Sequence, residues 1–487
     1  MTDTIPTSRR RSKLLFRVNA LAAVSLAAML AVMLNYISAR HAWRWDVSRG
    51  RIHSISDNTK RVLDQLQSGV DITVCFRSES GLARKLLNLL TEYESYSRRI
   101  KVLFIDPDRD LAAARELERK HKLTEPDVVV ISAGGRRRVL RARDFVAFRR
   151  APGAPDARGQ SLFRGEQALS SAIYGVIQTN LPVVYMLKGH DERDAADFDR
   201  NFGYSGIERV MRLSSVDVQP LLLGEKGGVP QNADALIVAG PRQRFTQAEV
   251  ELLRDYLDRS GRLFLLLDAG ADTGLDPLLE AWGVRPGNDR VVGATLSGND
   301  LLVTDYGAHE AVRSLRNVTT LFFGPRSINP VLVEGAPDSR QADRPQVSVL
   351  ASCSDLGWAE TDFRQDPPRF DAAADRAGPV PVAVAVERGP ISGIDVDLEP
   401  TRLVVVGDST FADNGALERG CNTDFFMSAL NWLLGRQELL DVPPRHPDQL
   451  SIFMTRAQLD KIFWIAAAAM PGIMVLLWAA VRWRRRI

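Results

Sequence analysis

Two uncharged apolar stretches, one near each end of the chain, limit most strongly what it can become. Residues 18–37 read VNALAAVSLAAMLAVMLNYI and residues 462–481 read IFWIAAAAMPGIMVLLWAAV. Each has about the 20 residues that a helix needs to cross a bilayer. Arg17 is placed to snorkel at the start of the first, and Tyr36, Trp43 and Trp45 suit the opposite interface. A secretory signal peptide would share the basic start and apolar core, but it needs a small-x-small cleavage site. Ile37-Ser38-Ala39-Arg40 is a poor one, which favours an uncleaved anchor. In the second run Pro471-Gly472 lies mid-span, where a kink is tolerable. A buried core helix is the competing reading. It fits badly with the arginine block Arg482, Arg484, Arg485 and Arg486 that closes the chain.

Orientation follows from the bias of basic residues toward the cytoplasm. The tails at residues 1–17 and 482–487 are basic, so both termini are expected inside and the bulk outside the cytoplasmic membrane. Arg40, Arg44, Arg49 and Arg51 blur the signal at the first span, so the second decides.

The whole chain has 487 residues, enough for two or three domains. Its 63 basic and 60 acidic residues leave a net charge of +3. Because the tails are basic, the middle is mildly acidic, which is no footprint for nucleic acid. The basic tails suit a charged lipid surface instead. Cys75, Cys353 and Cys421 lie far apart without a C-x-x-C pair, which argues against a zinc cluster or dithiol centre. Three buried small residues are the plain reading, and one disulfide stays open for an exported domain.

Between the anchors, β-branched apolar runs alternate with amphipathic stretches, the pattern of βαβ units around a largely parallel sheet. Residues 46–150 form a first block. Ser56 N-caps a helix, and strands follow at 70–76, 100–106, 127–132 and 137–142, the last two a hairpin around Gly134-Gly135. This β-α-β-α-β-β order predicts a thioredoxin-like layer, without the cysteine pair of an active one. A Pro/Gly-rich linker occupies residues 151–164. Residues 165–440 read as a larger flavodoxin- or amidotransferase-like α/β domain, with strands at 182–188, 218–223, 235–240, 262–268, 347–353, 381–387 and 402–408. Thr246 and Glu249 make a capping box there. Residues 356–378 read as an exposed excursion, and 441–461 as a juxtamembrane segment before the second transmembrane helix.

Candidate site residues cluster at strand ends, where α/β proteins place ligands. Gly189, His190 and Glu192 follow one strand, Asp268 ends another, and Asp408, Ser409 and Asn414 follow a third. A histidine beside carboxylates can serve acid–base chemistry, and a turn with a polar cluster is the plain alternative. Asp408 and Ser409 could equally cap the next turn. No P-loop, G-x-S-x-G elbow, strand-linked G-x-G-x-x-G or two-histidine metal spacing occurs, so no cofactor or metal is expected and enzymatic activity has no positive support.

The motifs together resemble the GldG-type auxiliary components of ABC transport systems. The matching segments are Arg44-Trp45-Asp46-Val47-Ser48 with Ser54-Ile55-Ser56-Asp57-Asn58-Thr59, Gly189-His190-Asp191-Glu192, Ala233 to Pro241, Gly407 to Asn414, and Asn422, Phe425, Asn431, Trp432 and Leu433. Val47, where leucine is usual, and Asp191, where glycine is usual, depart from the pattern. The resemblance implies a bacterial inner-membrane, two-pass protein with a periplasmic bulk. It also implies two partners, a separate ABC ATPase subunit and a polytopic permease subunit, with membrane lipid around the anchors. The expected function is a non-catalytic auxiliary subunit. The alternative is an envelope hydrolase acting near His190 and Asp408.

Overall fold

The computed structural model describes residues 55–436, apart from 122, 124, 150–159, 179, 294, 296–299, 317, 332–343, 363–367 and 390–399, together with scattered positions between 19 and 33.

The first sheet starts from a well-formed cap. Ser56 is extended, and its side chain accepts a hydrogen bond from Thr59 N, which opens α1 (Asp57–Asp64). Then come β1 (Val70–Cys75), α2 (Gly81–Tyr96), β2 (Ile100–Ile105), α3 (Leu111–His121), β3 (Val128–Ala133) and β4 (Arg136–Arg141). The strand order is β2-β1-β3-β4, with β1 and β2 parallel and the other pairs antiparallel. Gly134 and Gly135 both take positive φ, which the tight β3–β4 hairpin requires. Helix α2 buries Ala83, Leu86, Leu90 and Tyr93, a stripe at helical spacing, against the sheet.

Helix α4 (Gly165–Ile177) shares that core through Leu169, Ile173 and Val176. It also carries Glu166, which is buried. Glu166 Oε1 accepts hydrogen bonds from Ser56 N at 2.6 Å and Thr59 Oγ1 at 2.8 Å. Ser170 Oγ joins Thr59 Oγ1 and Tyr93 Oη at 2.9 and 2.8 Å. The S-x-x-T motif, through the Ser56 backbone N and the Thr59 hydroxyl, thus faces a carboxylate more than a hundred positions away. Glu166→Ala should lower stability by about 1–3 kcal/mol, since it takes the acceptor from the half-buried Ser56 N and from the buried Thr59 hydroxyl. Urea unfolding monitored by circular dichroism measures this.

The second sheet has eight strands: β5 (Val183–Leu187), β6 (Asp217–Leu221), β7 (Ala235–Ala239), β8 (Arg262–Leu266), β9 (Asp305–Tyr306), β10 (Gln346–Ser352), β11 (Pro381–Arg388) and β12 (Thr401–Val406). Their order is β9-β10-β11-β12-β8-β7-β5-β6. The half from β12 to β6 is parallel. The half from β9 to β12 is antiparallel, with a bulge between β10 and β11. The sheet is therefore mixed rather than largely parallel: the segments joining β10, β11 and β12 contain no crossover helix among the described residues.

The strands alternate between two cores. Met186, Ile237, Phe264 and Val404 face one side, with α5 (Ser205–Leu213) and α7 (Asn422–Leu433) packed there. Leu187, Val238, Leu265 and Val405 face the other, against α6 (Gln247–Asp258). Burial on both faces explains why these strands read as continuous apolar runs. The segment 356–378 is partly integrated: Trp358–Glu360 pairs with Arg290–Val292 and with Arg376–Ala377, and Glu360 is buried.

Helix α4 also touches the second unit. A Cβ on Gly175 would fall 1.9 Å from Ser215 Oγ, and that hydroxyl donates to Ser171 O at 3.3 Å. Cys75, Cys353 and Cys421 are all buried, and none forms a disulfide with a described residue. Burial raises the thiol pKa of Cys75 and of Cys353.

The expected architecture needs correction at both ends. The protein is a mixed α/β structure with several sheets, and no helix among the described residues is long and apolar enough to cross a membrane. Crossing requires about 20 apolar helical residues, and α2, at 16 residues, mixes charged and apolar positions. The flanking transmembrane helices are thus unsupported, and with them the two-pass inner-membrane placement, the periplasmic bulk and the cytoplasmic termini. The run at 462–481, the tails at 1–17 and 482–487, the segments 44–54 and 441–461, and most of the linker lie outside the described residues.

Candidate functional site

The carboxyl ends of β5, β8 and β12 carry the sequence-predicted residues, and the loops sort them into three groups. The first follows β5. Gly189 has φ of +125° and Asp191 of +61°, a sharp backbone turn that folds the loop back on itself. The buried His190 is then clamped. Its Nδ1 lies 3.2 Å from Glu192 Oε1 and its Nε2 3.2 Å from Glu249 Oε2. Its ring stacks on Phe245 at 3.9 Å, and its backbone N donates to Glu192 Oε2 at 2.7 Å.

Glu249 is also the carboxylate of the capping box. It accepts from Thr246 N at 2.9 Å and Thr246 Oγ1 at 2.7 Å. Burial pushes its pKa up, but the bonds from Thr246 and His190 outweigh that and lower it. His190 therefore ties the loop after β5 to the start of α6. His190→Ala should cost about 2–3 kcal/mol, because it leaves the Glu192 carboxylate buried with one partner fewer. Chemical denaturation reads the loss; an unchanged midpoint would make the clamp irrelevant to stability.

The second group lies at β8 and β12. Asp268 Oδ1 accepts from Ser409 N at 2.6 Å, and Oδ2 accepts from Ser409 Oγ at 2.8 Å. Asp408 is fully buried and accepts from Phe323 N and Thr410 N, both at 2.7 Å. Arg193, from the β5 loop, reaches the same place. Its Nε donates to Ser409 Oγ at 3.3 Å, its Nη2 to Thr410 Oγ1 at 3.3 Å, and its Nη1 lies 3.4 Å from Asp413 Oδ2. Tyr204, also buried, donates its hydroxyl to Ser409 O.

Three carboxylates thus gather beside one guanidinium. Burial, with Asp268 nearby, pushes Asp408 up to about 7. Burial, with Asp408 and Asp268 close and only partly offset by Arg193, pushes Asp413 up to about 8. The close approach also explains Gly240, with φ of +60°: a Cβ there would sit 2.4 Å from Ser409 Oγ.

The third group is Asn414 alone. Its Oδ1 accepts from Gly206 N at 2.7 Å, and its Nδ2 donates to Asp199 O at 2.6 Å and Ser205 Oγ at 3.2 Å. It pins the loop that leads into α5. Asn414 also lines a cavity of about 340 Å³ between the first unit and α5 and α7.

Asp268 and Ser409 meet directly, and Asp408 adjoins them; His190 and Glu192 pair with each other and with Glu249. Arg193, Tyr204, Phe245 and Asp413 were missed by sequence reasoning. Arg193 stands immediately after the G-H-D-E run, and Asp413 lies inside the G-D-S…N segment, so both were in reach of the motifs. Nothing in the sequence marks Tyr204 or Phe245. Among the described residues no group of three His, Cys, Asp or Glu side chains is arranged to hold a metal ion.

Comparison with known proteins adds the following. A family model described as an ABC-type uncharacterized transport system matches residues 181–431, and a domain family of unknown function matches residues 49–140. The human intraflagellar transport protein 52 homolog is 36% identical over 99 residues, covering 20% of this chain and 22% of that protein. The mouse homolog is 36% identical over 107 residues, covering 20% and 23%. The chain thus spans under a quarter of the length of these curated relatives. Among solved structures, the mmIFT52 N-terminal domain is 20% identical with a TM-score of 0.37, covering 52% of this chain and 97% of that one. A putative ThuA-like protein from Bacteroides uniformis is 12% identical with a TM-score of 0.30, covering 53% and 93%.

Proposed function

We propose, from the premise that this chain belongs to the family described as an ABC-type uncharacterized transport system, that it is a non-catalytic accessory subunit of such a system. Its second unit, residues 181–431, spans the matched region and would carry the substrate- or partner-binding role. One observation favours binding over chemistry. The side chains of His190, Glu192, Asp268, Asp408, Ser409 and Asn414 are all engaged in hydrogen bonds within the fold. A nucleophile or general base needs a free reach toward substrate, and these groups spend theirs on backbone and neighbouring side chains.

The finer GldG-type assignment rests on the ordered motif set and adds two partners: a nucleotide-binding ATPase subunit and a polytopic permease subunit. The chain carries no P-loop, so the energy source would sit on another polypeptide. Co-expression with an ATPase subunit and a permease subunit of such a system from the same source, followed by pull-down in mild detergent, is expected to recover all three. Recovery of this chain alone, under conditions that retain the ATPase–permease pair, would overturn the reading. The hydrolase reading has its own test. Asp408→Asn and His190→Gln would abolish a hydrolytic activity, whereas an accessory subunit would lose stability and keep its partners.

A further inference from the structure

The cavity beside Asn414 is walled by both units: Leu140 contributes from the first, and Val210 and Leu417 from the second. Its volume, about 340 Å³, lies in the range of small-molecule sites. Arg164 and Asp424 also line it, 3.3 Å apart, so their charges are mutually neutralised. Arg143, exposed on the lining, pairs with Glu125 at 3.7 Å, which leaves two other exposed charges there, the cation Arg209 and the anion Glu418. Neither makes an ion pair with a described residue. Phe198, 82% exposed, adds an aromatic face. It stays displayed because Asp197 and Asp199 hold the loop by accepting bonds from Asp199 N, Asn201 N and Phe202 N.

We propose that this cavity binds a small zwitterion with an apolar body, of the class of a free apolar amino acid or dipeptide. Apolar walls take the side chains, Arg209 takes the carboxylate, and Glu418 takes the ammonium. A simple anion or cation would meet one matching and one opposing charge at the lining, whereas a zwitterion meets two matches. The aromatic ring of Phe198 covers the apolar body at the solvent side.

The proposal deepens the accessory-subunit reading by naming a ligand class, and its test is separate from partner capture. Titration calorimetry of the full chain with L-leucyl-L-leucine is expected to give saturable binding. Arg209→Gln and Glu418→Gln should each weaken it by about tenfold or more, roughly the loss of one charge-assisted contact. Both residues are exposed, so both variants should fold as the parent does, and thermal melts check this. Arg209→Lys should recover part of the loss, and N-acetyl-leucyl-leucine amide should bind far more weakly. Absence of saturable heat with the parent chain would overturn the proposal. So would affinity unchanged in both glutamine variants.

Discussion

Asn422→Leu is expected to destabilise the protein by about 3–5 kcal/mol. Asn422 is completely buried at the first turn of α7. Its Oδ1 accepts from Leu321 N at 2.9 Å. Its Nδ2 donates to Leu321 O at 3.0 Å, Phe411 O at 2.9 Å and Ala416 O at 3.1 Å. These acceptors come from three separate backbone stretches, so one amide joins the strand Thr320–Phe323, the turn after β12 and α7. Leucine has similar bulk but leaves Leu321 N, Leu321 O and Phe411 O without their amide partner, out of reach of water, while Ala416 O keeps its bond from Arg419 N at 2.9 Å. Urea denaturation measures the difference in midpoint; a loss below about 1 kcal/mol would show that the surrounding backbone finds other partners.

Stability is also expected to fall as pH rises from about 5 to 9, by an amount on the order of 2–4 kcal/mol, as the cluster around Arg193 loses protons. The direction follows from proton counting. Asp408 and Asp413 have folded-state pKa values raised to about 7 and about 8 from an ordinary 3.8. Below pH 4 both states are protonated and the cluster contributes no pH dependence. Between about 4 and 8 the folded state holds protons that the unfolded chain has released, so unfolding becomes easier with each unit of pH. Above 8 the penalty is complete and the curve flattens. Asp413→Asn should flatten much of this slope, since the amide cannot ionise. Thermal melts of parent and variant from pH 5 to 9 provide the test, and a parent whose stability rises across that range would sink the idea.

Much of the fold was readable because local chemistry and tertiary packing agree. The strands at 70–75, 100–105, 235–239 and 262–266 are apolar, β-branched and bounded by turns, and each forms within two residues of its expected ends. Ser56 and the Thr246–Glu249 box cap helices as their spacing predicts. The failures share one cause. Strand direction is set by how chain segments return, and the described residues between 284 and 377 include several short, irregular strand pairs with little periodicity of their own. At the candidate site, the motifs pointed to the right loops but not to the bonds within them. His190, with acidic neighbours in sequence, read either as a group fit for acid–base chemistry or, more plainly, as part of a polar turn. Its decisive partner, Glu249, is a helix cap 59 positions on, which no local pattern reveals.

Helix α4 has a mechanical consequence. One flank is sealed into the first sheet's core, the Glu166 carboxylate fastens its opening turn, and its far side presses so closely on Ser215 that no side chain fits at Gly175. A rod held along both flanks works as an axle rather than a tether. A torque applied to the first sheet passes through it to the eight-stranded one without slack, and a longer side chain at position 175 would work like grit in the bearing.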